Sequence, residues 1–144
     1  MAKFSFRLQT YLNLKTKIED MKRNEFGKAV AAYENERLRL AELEQKRDNC
    51  VKEFSQNVET TIDPNETNRY NLFLERLKEW IKFQIGKVAE AEAFMQEKRA
   101  ELVEAMKDKK TLETLKEKEY ENYLSEEKKN EQKIQDDLVS YRFR

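Results

Sequence analysis

Glu59-Thr60-Thr61-Ile62-Asp63-Pro64-Asn65-Glu66 is the one strong break in this 144-residue chain. It holds the only proline and lies between two long stretches free of turn signals. Asp63 suits a helix N-cap, because its carboxylate can accept from the next turn's free N–H groups. Pro64 suits the first helical position, having no N–H to leave unpaired. Glu66 falls at the third position, where a carboxylate completes a capping box and favours the helix dipole. The segment therefore predicts a stop and a restart. One helix runs over residues 3–58, a loop over 59–64 and a second helix over 65–141, all in a single coiled-coil domain.

Outward from the break, helix two carries Leu74, Leu77, Ile81, Gln84, Val88, Ala91, Met95, Lys98, Leu102, Ala105, Lys109 and Leu112. Spacings of three and four alternate, which is a seven-residue repeat and implies a left-handed supercoil. Helix one carries Phe4, Leu8, Tyr11, Leu14, Ile18 and Met21. After a shift near Gly27 it continues through Phe26, Val30, Tyr33, Arg37, Leu40, Glu44, Arg47, Val51, Phe54 and Val58. The short loop favours antiparallel neighbours. The fold expected is all-α: two long helices in an antiparallel left-handed coiled-coil hairpin, the second longer than the first.

Placing Val58 opposite Tyr70 sets a register. Ala29 and Ala32 then face Phe94 and Met95, while Ala89 and Ala91 face Leu38 and Leu40, small against large. Phe4 meets Leu124, and the rest of helix two overhangs. Ser125 to Lys133 holds no apolar residue; Ile134, Leu138 and Tyr141 then resume a helical stripe. Two readings fit this overhang: a fraying terminal helix, or a segment that docks on a partner.

Composition narrows the function. Lys plus Arg and Asp plus Glu both number 29, for a net charge of zero. A nucleic-acid binder needs a basic field, so that class is disfavoured. No run approaches the roughly 20 apolar residues that span a bilayer, so no membrane insertion is expected. The start, Met1-Ala2-Lys3-Phe4-Ser5, lacks a signal peptide's apolar region. The chain has no histidine, one cysteine and no glycine-rich loop. Neither catalytic residues, nor a cofactor, nor a metal site is expected. Cys50 reads as buried filler beside Val51, and the alternating Glu and Lys residues as a solvated face.

Surplus apolar groups point to protein partners instead. Around helix two, at about 100° per residue, Tyr70, Leu74, Leu77 and Ile81 share one face. Phe73 and Trp80 flank it, and Leu72 and Phe83 point away. A two-helix seam cannot bury them all, so they mark a binding surface, a broadened core or a site of self-association. The N-terminal run with Phe4, Phe6, Leu8 and Tyr11 is also over-supplied; lying beside Tyr120, Tyr123 and Leu124, it reads as an aromatic clasp or a contact.

The opening Lys3-Phe4-Ser5-Phe6-Arg7-Leu8-Gln9-Thr10-Tyr11-Leu12-Asn13-Leu14-Lys15 resembles the start of the bacterial flagellar FliJ family, often Phe-x-Phe-x-Leu-Gln-x-Leu-Leu-x-Leu-like. Glu131-Gln132-Lys133 and Asp136-Asp137-Leu138 are similar to that family's tail, with Asp137 where Glu is common. The resemblance implies a cytoplasmic, non-catalytic stalk of the flagellar type III export apparatus, at the inner face of the membrane at the flagellar base. It implies contact with the export ATPase ring through Phe4 to Leu14 and Ile134 to Tyr141. It also implies contact with the cytoplasmic domain of the export-gate membrane protein through Phe73, Leu77 and Trp80. An escort of export chaperones and substrates, a plain coiled-coil spacer, and a homodimer are the alternatives.

Phe83→Ala is expected to leave the helical circular-dichroism signal and melting point nearly unchanged while weakening a partner interaction. A large loss of stability would place Phe83 in the core.

Overall fold

The computed structural model describes residues 3–60 and 63–143. They hold two α-helices and, among the described residues, no strand. Helix α1 spans Gln9–Thr60, 52 residues, and helix α2 spans Pro64–Arg142, 79 residues. The two pack against each other as a helical hairpin. Of the expected loop, residues 61 and 62 lie outside the described set. No helix among the described residues is long and apolar enough to cross a membrane.

One helix start follows from local chemistry and the other from packing. At α2, the Asp63 carboxylate accepts from the Asn65 N–H at 3.0 Å, and the Thr67 hydroxyl donates to the Asp63 carbonyl at 3.1 Å. Asp63 is thus the cap and Pro64 the first helical residue. Helix α1 begins at Gln9, not at residue 3. Phe4 and Phe6 are two residues apart and would point about 200° apart on a helix. Outside the helix both turn onto α2, and Phe6 is buried.

By their contacts the residues form two units, one of residues 1–22 and 101–144, the other of residues 23–100. In the first, Phe6, Leu12 and Leu112 form a core flanked by Phe4, Leu8 and Leu115. The Phe4 ring lies 5.1 Å from that of Tyr120 and 5.5 Å from that of Tyr123, the expected aromatic clasp. Further along, the seam is polar. Lys109 meets Glu19 at 3.0 Å, Lys22 meets Glu101 at 3.5 Å, and Lys15 meets Asp108 at 3.6 Å. Lys116 donates to the Gln9 side chain at 2.7 Å. As α1 numbers rise, α2 numbers fall, so the helices run antiparallel.

The second unit repeats that order. Glu25 pairs with Lys98 at 3.7 Å, and the buried Gln84 amide donates to the Glu36 carbonyl at 2.9 Å and to its carboxylate. Ala29, Cys50, Leu77 and Ile81 are buried. Tyr70 packs on Phe54 at 5.3 Å and its hydroxyl accepts from Asn57 at 2.9 Å. Burial holds the Cys50 thiol above its usual range, with help from Glu53, so the thiol stays neutral and inert.

Every repeat position expected on α2, from Leu74 to Leu112, is buried or half-buried. On α1 the expectation fails in part. Tyr11, Leu14, Met21, Arg37, Arg47, Val51 and Val58 are exposed. The repeat that faces α2 is Leu12, Glu19, Phe26, Tyr33 and Leu40, with Lys22, Ala29, Glu36, Leu43 and Cys50. It runs past Gly27 without the shift. Charged groups hold several of its positions, and opposite charges across the seam make them tolerable there. The register also differs: Tyr70 faces Phe54 and Asn57, and Phe4 faces Tyr120 and Tyr123. Of the expected small-against-large sets, Ala29, Met95, Ala91 and Leu40 lie in the seam, while Ala32, Phe94, Ala89 and Leu38 are exposed.

Leu77→Ala should destabilise the chain by about 2–4 kcal/mol in denaturant unfolding, since Leu77 is fully buried, and Leu72→Ala by no more than about 0.5 kcal/mol. The Glu19–Lys109 pair predicts a pH effect. Its hydrogen bond to Glu19 holds Lys109 above the ordinary lysine value of 10.5. A raised folded pKa contributes stability that is complete below the unfolded value and lost as pH climbs through the folded one. As pH rises from neutral, the stability gap between the native chain and Glu19→Gln should therefore hold steady and close only above 10.5; a gap that closes earlier on that rise would contradict this assignment.

Candidate partner-binding surfaces

The seam is one stripe wide, and the apolar residues left out of it define the candidate surfaces. In the unit of residues 1–22 and 101–144 two stand out among the described residues. The first lies on α1, where Tyr11 and Leu14 line a shallow groove with Arg7, Leu8, Thr10 and Lys17, and Met21 continues the exposed line. Lys15 sits over the Tyr11 ring at 5.3 Å, a cation–π contact that holds the ring against the helix surface. The second is the last part of α2. Residues 131–143 are all exposed, and they include Ile134, Leu138, Val139, Tyr141 and Phe143. Ile134, Leu138 and Tyr141 fall within about 60° of one another around the axis, a coherent and exposed apolar face.

The third surface belongs to the unit of residues 23–100. Leu72, Phe73, Trp80, Phe83 and Phe94 stand exposed on α2, with Phe83 at 67%. Lys87 covers part of the Phe83 ring and Lys98 part of the Phe94 ring, each at 5.3 Å. A groove that adjoins this surface at Phe73, lined also by Lys46, Asn49, Cys50, Glu66 and Arg69, is mixed in polarity. Aromatic groups of this size left in water at one end of one helix are what a protein partner desolvates most profitably.

The residues singled out from sequence divide cleanly. Tyr11, Leu72, Phe73, Trp80, Phe83, Ile134, Leu138 and Tyr141 are exposed. Phe4 and Leu8 are half-buried on the core of the N-terminal segment. Phe6 and Leu77 are buried in the hairpin itself; they can support a surface but do not present one. Leu14 and Met21 are exposed although periodicity places them in the seam, and Phe94 is exposed although the expected register sets it facing Ala29 and Ala32. The signal that separates them is the charge pattern: Glu19 and Lys22 find opposite charges on α2, and the stripe containing Leu14 and Met21 does not.

These side chains are apolar and aromatic, with lysines as flanking charges. The arrangement can bury area against another protein; it does not converge polar groups on a reacting atom.

Comparison with known proteins bears on the fold and the family. No curated protein matches the sequence significantly. The Chlamydia trachomatis protein CT670, described as a YscO homolog, has a similar structure, with a TM-score of 0.68 at 18% identity over 96% of this chain and 94% of that one. At that identity the likeness is one of fold. The family described as flagellar FliJ protein matches residues 4–144. The chain, matched over nearly all its length, belongs to the flagellar FliJ protein family.

Proposed function

We propose that this chain is a non-catalytic stalk of the flagellar type III export apparatus that joins the export ATPase ring to the cytoplasmic domain of the export-gate membrane protein. Membership of the family supports a place in flagellar protein export. The finer reading rests on one observation above the others: α2 continues well past the aromatic clasp and carries an apolar face, Ile134, Leu138 and Tyr141, that its own chain leaves bare. A solvated helix keeps such a face only at a cost in solubility, and a partner that covers it repays that cost.

The ring-directed contact is Tyr11 and Leu14 on α1 together with Ile134, Leu138 and Tyr141 on α2. Phe4, Phe6 and Leu8 brace it by closing the core beneath. The gate-directed contact is Leu72, Phe73, Trp80 and Phe83, braced by Leu77. The chain works at the cytoplasmic side of the membrane. A stalk with no chemistry of its own acts on a ring by binding some subunit conformations better than others, which shifts their populations. Its effect on turnover is bounded by that difference in affinity.

Deleting residues 125–144 should keep the hairpin and its clasp while abolishing stimulation of ring assembly and ATP turnover by the purified chain. Undiminished stimulation by the truncated chain would show that the ring contact lies elsewhere, and no binding of the full chain to the ring would end the stalk reading.

A further inference from the structure

The outer face of α2 carries a pattern that the seam and the proposed partners do not account for. Leu72, Phe83 and Phe94 follow one another at intervals of eleven residues. Eleven residues are three turns plus only about 20°, so the three lie in a nearly straight line along the helix. All are exposed, at 54%, 67% and 49%. Between them, on the same stripe, stand Arg76, Glu79, Lys87 and Glu90, also exposed. In order the stripe reads Leu72, Arg76, Glu79, Phe83, Lys87, Glu90, Phe94.

That order is a palindrome about Phe83 with the charges inverted. Arg76 lies as far before Phe83 as Glu90 lies after it. Glu79 and Lys87 are related in the same way, and so are Leu72 and Phe94. One step further out, the exposed Arg69 and Glu97 continue the relation. A stripe with this symmetry is complementary to itself when reversed, which is what a two-fold contact between identical helices requires.

We propose that a second copy of this chain docks antiparallel on this face of α2, about a two-fold axis at Phe83. Phe83 then meets its own equivalent at the axis. Leu72 of each copy lies level with Phe94 of the other, and Arg76 level with Glu90. Lys87 of one copy reaches Glu79 and the Trp80 ring of the other. Reversed orientation is specified by the charges: a parallel pair in register would set Arg76 beside Arg76 and Glu90 beside Glu90. Gly86 adds room, since a side chain begun there would meet nothing within 4 Å in its own chain, leaving the ground beside Phe83 open to a second helix.

Self-contact covers Leu72, Trp80 and Phe83, which the proposed function assigns to the export gate, so the two contacts exclude each other. The proposal concerns the chain alone and stands whether or not that assignment holds.

Sedimentation velocity of the purified full chain, from about 5 to 500 µM to suit a small interface, tests it. The expected result is a concentration-dependent shift toward dimer. Phe83→Glu should abolish the shift while leaving the circular-dichroism melt unchanged. Arg76→Glu and Glu90→Arg should each raise the dimer Kd at least about tenfold, because like charges then meet twice. An equimolar mixture of those two variants should associate again, since each restores the other's partner. A chain that stays monomeric over the whole range overturns the proposal. So does a dimer indifferent to Phe83→Glu, or a mixture that associates no better than its components.

Discussion

A seam between only two helices is one stripe wide, and everything else in this structure follows from that limit. Each helix must put one line of residues against the other and leave the remainder in water. The chain carries more large apolar groups than the line can hold. Which of them enter is decided by fit and by charge, and those left out become the surface by which the protein can act.

Charge settles the choice on α1. Tyr11, Leu14 and Met21 make a better apolar stripe than the neighbouring Leu12, Glu19 and Lys22, yet the latter face α2. Glu19 meets Lys109 at 3.0 Å and Lys22 meets Glu101 at 3.5 Å. Pairs of this kind contribute little net stability once desolvation is counted, but a wrong register would leave the charges opposed or unpaired. They act as register keys, much as a single polar residue does in a coiled-coil seam. The Gln84 amide bonded to Glu36 serves the same purpose in the unit of residues 23–100.

This explains how much could be read from the sequence. The fold class, the cap at Asp63 and the whole repeat of α2 were legible, because Leu77, Ile81, Leu102 and Leu112 are apolar and recur every three or four residues. The α1 seam was not, because periodicity follows hydrophobic residues and cannot see that Glu19 has a lysine waiting across the gap. That error produced the shift at Gly27 and slid the register by about a turn. The late start of α1 was hidden for a related reason: Phe4 and Phe6 have helical neighbours, and only tertiary contacts, Phe4 with Tyr120 and Tyr123 and Phe6 with Leu112, draw both onto α2. Surplus singled out Leu72, Trp80, Phe83 and the C-terminal stripe, and all of these are exposed. Leu14, Met21 and Phe94 are exposed as well, although they were credited to the seam.

The central claim is that residues excluded from the seam are the ones partners cover. Hydrogen–deuterium exchange of the full chain, with and without the purified flagellar export ATPase, addresses it most directly. The account predicts slowed exchange over residues 9–21 and 125–143, with the buried stretch around Leu77 and Ile81 unchanged. Slowing absent from 125–143, or slowing confined to stretches already buried, would contradict it.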